Sequence, residues 1–161
     1  MDTLVLGVGN PILSDDGVGI RIARRLKEEN PELEVLESGE AGVGLLDVVV
    51  GYRRLIVIDS IKTGRGKPGE LYQLSLEELK PAGGLASSHG VGLATALELG
   101  RRLGWPVPRC VRIYAVEVRD NTTFGEECTP EVAAKIRDIA QEIAEEEGLT
   151  RPEAKPNGFG I

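Results

Sequence analysis

An α/β sandwich, with a mostly parallel five-stranded twisted sheet between two layers of helices, is the fold this sequence predicts. Three observations predict it. The runs Thr3–Val8 and Arg54–Asp59 are continuously apolar or nearly so, as strands buried on both faces are. Stretches of helical period follow such runs, the clearest being Val18, Ile22 and Leu26 at i, i+4 and i+8. Turns rich in glycine and proline separate the two kinds of segment. Strands alternating with helices build parallel sheets covered on both faces.

Each element has its own signal. Thr3–Val8 is the first strand, broken by Gly9-Asn10-Pro11. A helix then starts near Asp16 or Gly17 and runs to about Glu29, with Gly19 and Ala23 small enough to approach a sheet closely. Leu33–Leu36 reads as a second strand and Gly42–Val50 as a short helix. Arg54–Asp59 is the third strand, apolar after its first residue until it ends on Asp59. The loop Lys62–Gly69 leads to a short edge strand at Glu70–Gln73. After a second loop, Pro81–Ser88, a helix is expected from Gly90 to Leu103, with Ser88 available as its cap. Arg109–Val116 is the fifth strand, in which Cys110 reads as a buried apolar residue. The loop Asn121–Cys128 precedes the best-signalled helix. Thr129 is its N-cap, Pro130 its first residue, and Val132, Ile136, Ile139, Ala140 and Ile143 its core stripe. Residues 1–148 are expected to form one domain, and 149–161 a loose tail.

Bulk properties narrow the function. The 161 residues suit one core, and a net charge of −7 with 4% aromatic residues disfavours nucleic acid as partner. No segment is long and apolar enough for a membrane span, and Thr3–Val8 is too short for a signal peptide, so a cytoplasmic protein is expected. The two cysteines, Cys110 and Cys128, form no disulfide framework or zinc knuckle.

Familiar motifs fail on inspection. Gly7-Val8-Gly9 begins a dinucleotide fingerprint, but position 12, where the third glycine belongs, is Ile12. No serine lies in a GxSxG elbow, and the single histidine, His89, precludes a zinc-protease HExxH. Asp59-Ser60 is followed by Ile61, not by the glycine of the aspartic-protease triplet. Gly64-Arg65-Gly66-Lys67 lacks the spacing of a phosphate loop.

In a parallel sheet the site lies outside the carboxyl ends of the strands, here the loops after Val8, Asp59 and Val116. Asp15 and Asp16 follow the first strand, Asp59 ends the third, and His89 opens a helix. One acid of the Asp15-Asp16 pair, with Asp59 and His89, would make an oxygen, oxygen, nitrogen set suited to a borderline divalent ion such as zinc or nickel, with positions left for a substrate ligand. Blander roles stand beside this one. Asp15 or Asp16 would cap the first helix, and His89 would be a satisfied residue at a helix start.

Taken together, these segments resemble the hydrogenase maturation endopeptidases. The run from Gly7 through Asn10, Asp15, Asp16 and Gly17 to Gly19 is similar to that family's opening signature, GxGNxxxxD[DE]GxG. Leu55–Asp59, Ser87-Ser88-His89-Gly90-Val91-Gly92-Leu93, Ala115-Val116-Glu117, Phe124-Gly125-Glu126 and Thr129–Val132 resemble its later motifs, in order, over residues 3–145. The resemblance implies that Asp16, Asp59 and His89 are the metal-sensing and catalytic residues. It implies a substrate, the large-subunit precursor of a nickel-containing hydrogenase, whose C-terminal extension is removed after nickel insertion. Nickel would then be sensed on the substrate, with no resident organic cofactor, by an enzyme working as a monomer. Two positions depart from the family's pattern. Glu40 replaces the threonine of a Gly-Thr-x-Gly turn, and Asp16 stands where many members carry glutamate. The competing reading is a non-catalytic metal- or nucleotide-binding module on the same scaffold.

Overall fold

The computed structural model describes residues 2–39, 44–79 and 88–150, with the side chains of residues 79 and 88–91 left aside. Five strands are formed, β1 (Thr3–Val8), β2 (Glu34–Ser38), β3 (Arg54–Ile61), β4 (Leu71–Leu74) and β5 (Cys110–Glu117). They lie in the order β2-β1-β3-β5-β4. Every neighbouring pair is parallel except β4 with β5. The helices are α1 (Val18–Glu29), α2 (Leu45–Val49), α3 (Ser88–Arg102), α4 (Pro130–Ala133) and α5 (Ile136–Glu147). The expected α/β sandwich of three layers is the fold adopted.

The period-2 alternation of strand side chains sorts the core into two halves. On one face Val5, Ile56, Ile58, Tyr114 and Val116 pack with Val18, Ile22 and Leu26 of α1 and Ile139, Ala140 and Ile143 of α5. On the other, Leu4, Leu6, Leu55, Val57, Ile61 and Ala115 pack with Leu45 and Val49 of α2 and Leu93 and Leu97 of α3. Both faces are therefore dry, which is why the strands read as unbroken apolar runs.

Two glycines let α1 sit against the sheet. A Cβ on Gly19 would stand 2.2 Å from the Ile58 carbonyl oxygen, and one on Gly7 would stand 2.9 Å from Cβ of Ala23. The first turn of α1 is thus held against the ends of β1 and β3.

Several boundaries and assignments change. β3 runs on past Asp59 to Ile61, because Ser60 and Ile61 keep their pairing with Val116 and Glu117 of β5. α3 begins at Ser88, so Ser88 is a helical residue and not a flanking cap. Cys110 is exposed, since it is the first residue of β5, where the covering layers have ended. The last helical segment is split at Ala134 and Lys135. Leu149, taken as the first residue of the tail, is buried. Gly148 takes a φ of 66°, and the Leu149 N–H donates to the Ala144 carbonyl in a Schellman cap that folds the side chain into the core. The remainder of the expected tail, 151–161, lies outside the described residues.

Candidate active site at the carboxyl ends of β1 and β3

The chain goes from β1 to β2 on one side and returns from β2 to β3 on the other side of β1, so the strand order reverses between β1 and β3. Such a switch point opens a crevice beyond the carboxyl ends of the strands. Both predicted carboxylates border it.

Asp16 belongs to a one-turn 3-10 helix, Ser14–Gly17, that precedes α1. Its carboxylate folds back on the turn after β1. Oδ2 accepts the Asn10 N–H at 2.8 Å, while the Asn10 side-chain oxygen accepts the Ile12 N–H at 3.1 Å. The turn closes so tightly that Gly9, at a φ of 145°, would bring a Cβ within 2.0 Å of the Asp16 carbonyl oxygen. This arrangement argues against nucleotide binding. A nucleotide phosphate would need the N–H groups of this turn, and Asn10 has given its own to a carboxylate.

Asp59 is 5% exposed near the end of β3. Its neighbour Ser60 joins the two acids. The Ser60 N–H donates to Asp59 Oδ1 at 2.8 Å, and the Ser60 hydroxyl donates to Asp16 Oδ1 at 3.0 Å. By strand alternation Asp59 faces the α2–α3 layer with Leu55 and Val57, whereas Ser60 faces the α1 layer with Ile56 and Ile58. The two carboxylates therefore reach the crevice from opposite sides of the sheet and share a single donor residue. Ser60 escaped the sequence reading. Its signal was there, because a polar residue directly after Asp59 on a doubly buried strand must find partners on the opposite face.

His89 lies in the first turn of α3. That helix has 15 residues and so is about 22 Å long, about the depth of the sheet. Its far end feeds the segment in which the Arg109 N–H donates to the Arg53 carbonyl, just before β3 and β5 begin. The first turn of α3 accordingly starts at the end where those strands finish, the end that carries Asp16 and Asp59. Among the described residues no cluster of three histidine, cysteine, aspartate or glutamate side chains forms a metal cage. The side chain of His89 and all of Glu40 lie outside them.

Asp15 does something the sequence reading did not foresee. It does not cap the first helix, where no side-chain cap bond forms. Fully buried, it accepts the N–H groups of Arg119 (3.1 Å), Asp120 (3.0 Å) and Thr129 (2.7 Å) and the Thr129 hydroxyl (2.9 Å). Thr129 stands at the N-cap of α4 as expected, but its hydroxyl serves Asp15 instead of its own helix. The Leu13–Gly125 bridge and the bond from the Ser14 hydroxyl to the Thr123 carbonyl extend this seam. Loop 121–128 is thereby sewn to the loop that carries Asp16.

A third wall rests on Glu117, buried at the end of β5. Its carboxylate accepts the N–H groups of Thr63 (2.8 Å) and Gly66 (3.0 Å), the Thr63 hydroxyl and the Tyr72 hydroxyl. Burial alone would raise its pKa, but these donors outweigh burial and hold it below the ordinary carboxylate value. Loop 62–70 is pinned beside the crevice in this way.

The fold is a three-layer α/β sandwich, and its paired carboxylates lie at the switch point where such sheets bind their ligands. The hydrogenase maturation protease family model matches residues 20–146, a span that takes in Asp59 and His89 and starts just after Asp16. The hydrogenase 2 maturation protease of Escherichia coli is 38% identical over 148 residues, covering 89% of this chain and 88% of that protein. Among solved structures, the hydrogenase maturating endopeptidase HybD of E. coli aligns with a TM-score of 0.76 at 28% identity, over 92% of this chain and 94% of that one. The [NiFe] hydrogenase maturation protease HybD of Thermococcus kodakarensis aligns with a TM-score of 0.71 at 30% identity, over 91% and 99%. The chain belongs to the hydrogenase maturation protease family and is an endopeptidase.

Proposed function

We propose that this enzyme removes the C-terminal extension of a nickel-containing hydrogenase large-subunit precursor, and does so only once nickel is in place. The observation that carries the reading is the pair of carboxylates, Asp16 and Asp59, held at one crevice by Ser60. With the imidazole of His89 they offer hard and borderline donors to a metal that arrives already held by the substrate's own thiolates. Nickel in this scheme belongs to the substrate, and no resident cofactor is needed. An unloaded precursor would lack the link and stay uncut.

For the bond cleavage itself, water must lose a proton as it adds to the scissile carbonyl. A carboxylate at this crevice, Asp16 or Asp59, would take that proton and return it to the departing amine as the C–N bond breaks, while nickel held by the substrate would polarise the carbonyl or the water. Asp59 is the more buried of the two, two residues before the end of the central strand, with one oxygen already accepting from Ser60. The work is cytoplasmic and done by a monomer. No helix among the described residues is long and apolar enough to cross a membrane.

The test is a cleavage assay on purified precursor, with and without nickel, read by mass spectrometry. Wild type, pre-treated with a chelator and dialysed, is expected to cut only the nickel-loaded precursor. Asp59→Asn and His89→Ala are expected to fold and to lose at least about a hundredfold in rate. Full-rate processing by well-folded Asp59→Asn would remove Asp59 from the site. Equal cutting of loaded and unloaded precursor would remove the nickel gate.

A further inference from the structure

Two of the most exposed apolar side chains in the described structure stand on neighbouring backbone segments, next to the turn that holds Asp16. Phe124 is 81% exposed and Ile12 is 49% exposed. They are neighbours across the seam, where the Gly125 N–H donates to the Ile12 carbonyl at 2.9 Å and the Ser14 N–H to the Gly125 carbonyl at 3.0 Å. Ile12 also belongs to the turn that holds Asp16, through Asn10.

This is not a loose loop tip. Asp15 clamps it from beneath with four donors, and Ser14 holds a left-handed φ of 47° within it. Asp120, whose carboxylate accepts the N–H groups of Thr122 and Thr123, fixes the approach to Phe124. Strain held at a heavily bonded backbone points to function, and here it presents two exposed apolar side chains on neighbouring segments.

We infer that Ile12 and Phe124 form a docking platform for an apolar segment of the precursor next to its scissile bond. The inference rests on the proposed substrate. Continuity sets the position, since Ile12 belongs to the same closed turn as Asp16, joined to it through Asn10. Charge sets the kind of partner. Asp120, Glu126 and Glu127 lie within four residues of Phe124 in the chain, so a second copy of this chain, itself of net charge −7, would set acid against acid. A rigid aromatic surrounded by a polar rim is the usual anatomy of a binding hot spot.

The measurement is steady-state cleavage of nickel-loaded precursor by wild type, by an Ile12→Ser/Phe124→Ser double variant and by Leu103→Ser. Leu103 is 54% exposed at the opposite end of the sheet and serves as the control. The double variant is expected to raise KM about tenfold or more while kcat stays within about twofold, the pattern of lost binding that is uniform along the reaction path. Leu103→Ser is expected to match wild type. Thermal unfolding should be unchanged in both variants, because these side chains are exposed. An unchanged KM in the double variant, with wild type active, would overturn the platform and leave the proposed activity standing. Wild type that neither binds nor cuts the precursor would overturn both. A wild-type dimer in sedimentation that the double variant abolishes would assign the platform to a second copy and overturn the inference.

Discussion

Ser60 is the residue on which the two acids depend. One hydroxyl and one N–H serve two carboxylates that approach from opposite layers. Ser60→Ala keeps the N–H bond to Asp59 and removes the hydroxyl bond to Asp16. If Asp16 has the role proposed for it, the processing rate of nickel-loaded precursor is expected to fall about ten- to a hundredfold, with little change in melting temperature. An unchanged rate would mean that Asn10 alone positions Asp16. Asp15 has the opposite profile, because its four donors hold the framework together and none belongs to the crevice. Asp15→Ala would strand the N–H groups of Arg119, Asp120 and Thr129, and should cost about 3 kcal/mol. In a chain of this length that is a fall in Tm of about 6–12 °C. A shift under about 2 °C would show that water replaces the carboxylate at little cost.

Among the elements, α1 and β3 have to meet at van der Waals distance before the site exists. The close approach of Gly19 to the Ile58 carbonyl oxygen brings the start of α1, and Asp16 just before it, against the end of β3. Gly19→Ala would force the two apart by more than an ångström. A loss of about 3 kcal/mol in urea unfolding is expected, together with a rise in KM as Asp16 withdraws from Ser60. Stability within about 0.5 kcal/mol of wild type would refute the close-packing argument. The turn of α4 shows the same dependence on a distant element. Its Thr129 hydroxyl is spent on Asp15, 114 residues earlier in the chain.

Across the whole molecule, buried or heavily bonded carboxylates set the response to acid. Glu117 has a folded pKa below its ordinary 4.5, and Asp120 is held at about 2 by the Thr123 hydroxyl and the N–H groups of Thr123 and Thr122, against an ordinary 3.8. In both, the folded value is depressed. Each therefore contributes stability that is complete above its unfolded pKa and is lost as pH falls through the folded one. Melting temperature is expected to hold down to about pH 4.5 and then to fall toward pH 2. Glu117→Gln should lower the plateau and flatten the upper part of that fall. A fall as steep as in wild type would assign the acid limb to other groups. Because Glu117 pins loop 62–70 beside the crevice, activity measured over the same range should fail no later than stability does.

The unbroken apolar runs determined β1 and β3, since only doubly covered strands can be apolar on both sides. The period of Val18, Ile22 and Leu26 determined α1, and Pro130 the start of α4. The composition and the order of these segments were enough for the three-layer fold, and the ends of the apolar strands were enough to mark Asp16 and Asp59 as candidates for one crevice. Chain folding over long range decided the rest. That Asp15 sews two loops together, that Ser60 joins two acids across the sheet, and that Phe124 stands beside Ile12 depend on residues 44 to 114 positions apart. No local period or propensity encodes such pairs. They are set by the strand order β2-β1-β3-β5-β4, which brings the ends of β1, β3 and β5 to one edge. Cys110 makes the same point in reverse. Its strand was legible, but its exposure depended on where the covering helices stop.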